Sequence, residues 1–233
     1  MTADLSSGKH KSRVLIVEGY DDLRSVIGLM EHHVDWPNDK ESAPVWIETA
    51  GSVEKVLQRG YLTAQLKSAN REAVGIILDA DLDQDARYQQ LKSRCSVLFP
   101  SLPDAIPSEG LIAVNGDGLR LGVWIMPDNI APGILETFLE HLVPESAKQL
   151  WDHGVSSVQQ AMQMGAQCTD CQLPRAHLYT FLAWQDPPNQ SPGVSLSKKI
   201  LNPNSPKAYL FANWFKTLFG LSSLVDSQHE PAP

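Results

Sequence analysis

Apolar and polar positions alternate regularly through the first part of the chain, up to about residue 95. Short apolar, β-branched runs at residues 13–17, 45–49 and 74–78 predict three buried strands. After the first strand, apolar residues follow the i, i+3, i+4, i+7 spacing of an amphipathic helix, and Ser52 is placed to cap the next helix. This alternation favours right-handed βαβ units, which build a mainly parallel sheet with helices on both of its faces.

The second part of the chain has a different pattern. Apolar runs at 111–115 and 120–126 flank Gly116-Asp117-Gly118, which predicts a hairpin. The segment at 186–206 is rich in Pro, Asn, Ser and Gly and predicts a long loop. Further helices are predicted at 133–142, 144–164, 177–185 and 207–219.

Composition fits a globular protein with a core of useful size. The chain has 233 residues, of which 42% are hydrophobic and 20% charged. We divide it into an α/β core at 12–143, a helical C-terminal extension packed on that core at 144–221, and a disordered tail at 222–233. It has no apolar run of about 18 residues and no signal-peptide pattern, so we expect a cytoplasmic protein without a membrane span.

Carboxylates follow two of the predicted strands. Glu18 comes directly after the first strand, Asp79 directly after the third, and Asp81 two residues later. If the two strands are neighbours, these side chains converge where ligands bind in open α/β sheets, and continued extended geometry would put Asp79 and Asp81 on one side. Converging carboxylates repel unless a cation neutralises them, and their hard oxygen ligands suit Mg²⁺ or Mn²⁺. Gly19 leaves room for a phosphate.

Acidic residues after strands also have a structural explanation, as helix N-caps or solvated turn residues. We interpret Asp83 and Asp85 in that way. For the other acidic residues, the sequence Val17-Glu18-Gly19-Tyr20-Asp21-Asp22, followed by Leu78-Asp79-Ala80-Asp81, resembles the signature of the TOPRIM domain. This resemblance covers roughly residues 13–90. It implies a TOPRIM-like, Rossmann-like sheet, a catalytic site of Glu18, Asp79 and Asp81, and metal ligands that include Asp22.

The rest of the chain more loosely resembles a small stand-alone TOPRIM-like family related to the OLD-family nucleases. The resemblance rests on residues 122–129, 133–136 and 182–185. It implies that Asp128 and Glu136 help to hold a second metal ion, and that a basic residue assists catalysis. Arg175 stands where a lysine is expected. Arginine stays charged and is a poor proton donor, but it can stabilise charge on a phosphate.

The resemblance predicts an Mg²⁺-dependent nuclease that cleaves nucleic acid and acts in phage defence. OLD-family nucleases work with an ATPase on the same or another chain. This sequence has no Gly-x-x-x-x-Gly-Lys-Ser/Thr loop, so we expect a partner ATPase on a separate chain. The net charge of −8 opposes broad attraction to nucleic acid, and we expect the chain alone to bind it weakly.

Two alternatives stay open at this point. The first is a non-catalytic module that keeps the fold and binds metal or a partner protein. The second is a receiver-like signalling domain, in which Asp79 would accept a phosphoryl group. Against the receiver, a Glu-Gly pair replaces the expected pair of acids, and no Lys-Pro pair follows a late strand.

Cysteine and tryptophan positions add two smaller expectations. Cys168 and Cys171 have the spacing of half a zinc site, but the sequence offers no second pair to complete it, so we expect no structural zinc. Trp124, Trp184 and Trp214 lie in apolar patterns and are expected to belong to the core.

Overall fold

The structure, a computed structural model, describes residues 11–224, so most of the predicted disordered tail lies outside the described residues. Five strands form one sheet: β1 Arg13–Val17, β2 Trp46–Thr49, β3 Ala73–Asp79, β4 Leu111–Val114 and β5 Arg120–Met126. They lie in the order β2-β1-β3-β5-β4. All neighbours are parallel except β4 and β5, which form the predicted antiparallel hairpin at one edge.

The strands agree closely with the sequence-based prediction. β1 and β5 have the predicted bounds, β2 begins one residue later, and β3 extends by one residue at each end. The mainly parallel α/β sheet is therefore confirmed.

Nine α-helices lie within residues 11–224, and none of them is long and apolar enough to cross a membrane. They are α1 Tyr20–Met30, α2 Val53–Val56, α3 Tyr61–Leu66, α4 Gln84–Cys95, α5 Leu135–Glu140, α6 Lys148–Gln163, α7 Leu173–Ala183, α8 Pro192–Ser197 and α9 Pro206–Phe219. The predicted cap is present, since the Ser52 side chain accepts a hydrogen bond from the amide of Lys55.

Helices cover both faces of the sheet. Side chains alternate along each strand, so both faces carry apolar residues that the helices bury. In β1, Leu15 and Val17 enter one core and Val14 and Ile16 the other. Side chains of α2, α3 and α4 fill the second core, whereas α1 and α5 to α9 contribute to the first. The C-terminal helices α6 to α9 thus bury apolar side chains in the same core as the strands. The proposed division into domains stays a prediction.

The predicted loop at 186–206 is wrong, because it contains the buried helix α8. Its backbone packs against α1 where Gly28 faces Gly193, and a Cβ added at Gly28 would lie 2.3 Å from the Gly193 carbonyl oxygen. Pro, Gly and Ser are weak helix formers, so the sequence pattern concealed a helix that depends on this close contact.

Two further predictions about the C-terminal part need correction. α7 begins at Leu173 rather than at residue 177. Trp124 and Trp214 are buried as expected, but Trp184 is 43% exposed, and its ring stacks on His153 with centroids 5.4 Å apart. Trp184 follows the last turn of α7, where only part of the side chain can reach the core.

We predict that Gly28→Ala destabilises the protein. An alanine normally favours a helix interior by up to about 1 kcal/mol over glycine, but here the added methyl group overlaps backbone that cannot rotate away. A net loss of about 1–3 kcal/mol in the free energy of unfolding is expected, measured by urea denaturation. Gly154→Ala in α6 is the matched control, because its Cβ would lie 3.5 Å from Trp184 in ordinary contact. Equal effects of the two substitutions would contradict this account of the packing of α8.

Candidate metal and active site

Glu18 and Asp79 meet at the carboxyl ends of two neighbouring parallel strands. β2 and β3 lie on opposite sides of β1, so the strand order reverses between β1 and β3. A reversal of this kind opens a crevice in which ligands bind. The Glu18 Oε1 atom accepts a hydrogen bond of 2.9 Å from the backbone amide of Asp79. The predicted convergence of these two carboxylates is therefore confirmed.

Asp22 joins them from the first turn of α1. Its Oδ2 atom accepts a hydrogen bond of 2.9 Å from the amide of Gly19, the N-cap residue of the helix. A Cβ at Gly19 would lie 3.3 Å from that oxygen, so glycine leaves room for the contact. Gly19 thus helps to place Asp22, whereas the structure does not test its predicted role in phosphate binding.

Glu136 reaches the same region from α5, and its side chain is fully buried. Its Oε1 atom accepts a hydrogen bond of 2.7 Å from Nε of Arg175 on α7. Its Oε2 atom has no hydrogen-bond partner among the described residues. A buried carboxylate oxygen without a partner is costly. Glu136 is therefore the residue that most strongly suggests ligand binding in this region.

Asp79 is held in place from both sides. Its Oδ1 atom accepts a hydrogen bond of 2.9 Å from the amide of Leu135, the first residue of α5. Its carbonyl oxygen accepts one of 2.8 Å from Nε of Arg87 on α4. These contacts fix the end of β3 to the helices that follow it.

The four carboxylates of Glu18, Asp22, Asp79 and Glu136, which we name the carboxylate cluster, affect one another electrostatically. Burial raises the pKa of Glu18 to about 7, and the charge of Asp22 adds to the rise. Burial likewise raises the pKa of Asp22 to about 6, with a contribution from Glu136. The pKa of Asp79 is raised well above its usual range, by burial and then by its acidic neighbours. The cluster would therefore gain from a cation that neutralised it.

Asp81 departs from the expected geometry. Its φ is +54°, so the chain leaves the extended conformation of β3, and Asp81 exchanges backbone hydrogen bonds with Gly133. The Asp81 side chain is about half exposed and forms an ion pair with Arg87. The condition for Asp79 and Asp81 to point to one side is not met. Asp81 lies at the border of the carboxylate cluster, close enough for its charge to raise the pKa of Glu18 and of Asp79.

Asp128 is held by other contacts. Its Oδ1 atom accepts hydrogen bonds from the amides of Ile130 and Ala131, and its Oδ2 atom accepts one of 2.8 Å from Nζ of Lys207. Burial raises its pKa, but Lys207 and these amides outweigh that effect and hold it below the usual range. Since both oxygens are already bound, we leave Asp128 out of the candidate site.

Sequence reasoning missed two basic side chains that matter here. Arg87 lies in the first turns of α4, eight residues after Asp79. Lys207 comes from α9, 79 residues after Asp128. No local pattern in the sequence points to the contacts of either side chain.

The carboxylate cluster has suitable oxygen ligands for a divalent cation, but its geometry limits how many of them one ion can contact. Carboxylate oxygens are the ligands that Mg²⁺ prefers, and Oε2 of Glu136 has no hydrogen-bond partner in the described part of the chain. Within residues 11–224, however, no three His, Cys, Asp or Glu side chains are arranged to contact one ion together. Mg²⁺ usually binds through one or two carboxylates and keeps several waters, and the carboxylate cluster fits that mode.

Comparison with known proteins identifies a family without an assigned activity. Residues 12–220 match the family described as "Protein of unknown function (DUF3226)". No curated protein and no solved structure matches the chain significantly. The match spans both the sheet and the C-terminal helices, so these parts belong to one family unit.

We predict that the carboxylate cluster destabilises the metal-free protein as pH rises. Folding raises the pKa of Glu18 and of Asp22. At pH values between the pKa of each group in the unfolded state and its pKa in the folded state, the folded protein therefore binds more protons. Their stabilising contribution is complete below the unfolded values and is lost as pH rises through about 6 to 7. Urea denaturation in EDTA, repeated across this range, should show that Asp79→Asn loses less stability than the wild type.

The difference between variant and wild type is the readout, because other groups titrate nearby. Burial lowers the pKa of His33 and of His177, and their contribution to stability changes in the opposite direction. Asp83→Asn is the matched control, since Asp83 caps α4 through Ala86 and asparagine caps equally well. If Asp79→Asn followed the same pH dependence as Asp83→Asn, the proposed repulsion would be absent.

Proposed function

We propose that this chain, a member of the DUF3226 family, is an Mg²⁺- or Mn²⁺-dependent nuclease of the TOPRIM type. The observation that carries the proposal is the carboxylate cluster at the reversal of strand order, in which one buried oxygen of Glu136 has no hydrogen-bond partner within residues 11–224. Carboxylates gathered in this way favour a divalent cation, and a crevice at the sheet's carboxyl edge favours a ligand beside it.

The order of the motifs supports the TOPRIM assignment. A Glu-Gly pair follows β1 and an Asp-x-Asp follows β3, and these strands are neighbours in the sheet. The helices α5 and α7 add Glu136 and Arg175, in keeping with the looser resemblance to OLD-family nucleases. Asp128, which that resemblance assigned to a second ion, is omitted because Lys207 binds it.

A bound divalent ion would polarise a phosphodiester and activate water. The protein's own groups hold the surrounding geometry. Glu18 bridges β1 and β3 through the Asp79 amide, which fixes its orientation toward the crevice. Arg175 is about half exposed while it contacts Glu136, so part of its guanidinium can reach a phosphate outside the protein. Arg87 keeps Asp81 at the border of the site.

Nucleic acid is the proposed substrate, and the negative net charge of the chain suggests that a partner protein helps to recruit it. The chain carries a net charge of −8, so affinity for nucleic acid alone is expected to be weak. A partner ATPase on a separate chain, which the OLD resemblance implies, would supply the missing attraction. A role in phage defence is part of the same proposal.

One observation favours a second candidate, a module that binds metal or a partner without cleaving. Arg87 is paired with Asp81, and within residues 11–224 no three ligands meet in a ready geometry. If Asp81 stays paired, the carboxylate cluster could hold a cation that only stabilises the fold. The two candidates differ in whether phosphodiesters are cut.

The nuclease proposal predicts cleavage of labelled single- or double-stranded DNA or RNA in Mg²⁺ or Mn²⁺ and none in EDTA. Glu18→Gln should reduce the rate by a factor of at least about a hundred, because it removes a charge while it keeps the hydrogen bond to the Asp79 amide. The products are measured by denaturing gel electrophoresis at equal protein concentration.

Asp83→Asn serves as the control, because it removes one carboxylate from the same loop without touching the cluster. It should cleave at the wild-type rate. Cleavage that is equal in Glu18→Gln and wild type would reveal a contaminating nuclease. If no substrate is cut while the protein still binds Mn²⁺, the non-catalytic module is the correct candidate.

A further inference from the structure

A cavity of about 370 Å³ runs along α1. One wall is a stripe on α1 with helical spacing, from Tyr20 through Leu23, Arg24 and Ile27 to Glu31. The facing wall is formed by β2 and by the segment that precedes it. The volume lies within the range of about 300–1,000 Å³ that is usual for small-molecule sites.

One end of the cavity, at Tyr20, is close to the carboxylate cluster along the chain, although none of the four cluster residues lines the cavity. Tyr20 is the first residue of α1 and follows Glu18 and Gly19 directly. Tyr20 is 68% exposed, so it offers an accessible aromatic surface beside the cavity. Trp36, which packs against Phe215 on its inner side, provides a second aromatic wall. The cavity therefore has two aromatic side chains on which a planar ligand could stack.

Two cations line this cavity without a carboxylate partner. Within residues 11–224 neither Arg24 nor Lys40 forms an ion pair, although the chain as a whole is acidic. The Lys40 ammonium lies 4.0 Å from the centroid of the Trp46 ring, which holds it at the rim. Glu31 closes the far end of the stripe, so an anion would be favoured near Arg24 instead.

We propose that this cavity binds an unstacked nucleobase with its phosphate, so that the substrate is single-stranded nucleic acid. Aromatic walls offer stacking to any base, and unpaired cations attract the backbone, which is the usual basis of single-strand binding. The base would occupy the cavity and the adjoining phosphate would lie toward the carboxylate cluster. The inference rests on the proposed function for the identity of the ligand.

The test is fluorescence anisotropy of a labelled single-stranded oligonucleotide and of the matching duplex, in EDTA so that no cleavage occurs. The single strand should bind more tightly than the duplex. Tyr20→Ala should weaken it about tenfold through lost stacking. Arg24→Gln should reduce the slope of log affinity against log salt by about 0.7, the value for one phosphate contact on a single strand.

The controls are matched in residue type and lie outside the cavity. Tyr209→Ala removes a half-exposed tyrosine from α9, and Arg59→Gln removes an exposed arginine from the turn between α2 and α3. Both should bind like the wild type. Tyr20 is exposed, and the Arg24 side chain forms no hydrogen bond or ion pair within residues 11–224, so neither test variant is expected to unfold the protein.

Competition with an unlabelled mononucleotide and with inorganic phosphate tests which part of the nucleic acid the cavity recognises. If the mononucleotide displaces the oligonucleotide and inorganic phosphate does not, the site recognises the base. Equal displacement by phosphate, equal binding of duplex and single strand, or unchanged binding by Tyr20→Ala and Arg24→Gln would each overturn the inference. Single-strand binding through the cavity without any cleavage would overturn the nuclease proposal alone.

Discussion

The burial of several carboxylates at one end of the sheet is the constraint on which the rest of the structure depends. Asp79 lies at the end of a central strand, and its pKa is raised by burial and by its acidic neighbours. Backbone amides offset part of this cost, since Asp79 donates to Glu18 and Leu135 donates to Asp79. Each of these amides belongs to a different element, so β1, β3 and α5 must meet correctly for the carboxylates to be tolerated.

The two cores hold those elements in register. The parallel pairing of β1 with β3 places Glu18 beside Asp79, and apolar side chains on both faces of the sheet fix that pairing. α9 packs under the central strands, and its Lys207 also binds Asp128 in the loop that leads to α5. The C-terminal helices therefore support the loop that delivers Glu136, although they are far from it in sequence.

The features that depend on local sequence patterns could be predicted from the sequence. Strand bounds followed from apolar runs, and the meeting of Glu18 with Asp79 followed because each comes directly after a strand. Prediction failed where long-range contacts decide the outcome. Asp81 turned away because its backbone adopts a left-handed conformation and bonds with Gly133, 52 residues later.

The same limit explains the other differences between prediction and structure. Asp128 was predicted to be a metal ligand, but its side chain accepts a hydrogen bond from Lys207, which is distant in sequence. The helix α8 could not be recognised from propensity, because long-range contacts stabilise it, among them the close approach of Gly28 and Gly193 and the burial of Leu196 in the first core. Arg87 was missed because it contacts the Asp79 carbonyl oxygen and the Asp81 side chain, and no pattern within one helix predicts such contacts.

The central claim is that the carboxylate cluster is a site for a divalent cation, and Mn²⁺ titration calorimetry tests it most directly. Near neutral pH, carboxylates with raised pKa values must release protons when a cation binds, so the measured heat should depend on the ionisation enthalpy of the buffer. We predict saturable binding with proton release in the wild type and in Asp83→Asn, and its loss in Asp79→Asn. Binding that is absent from the wild type, or that persists unchanged in Asp79→Asn, would contradict the account.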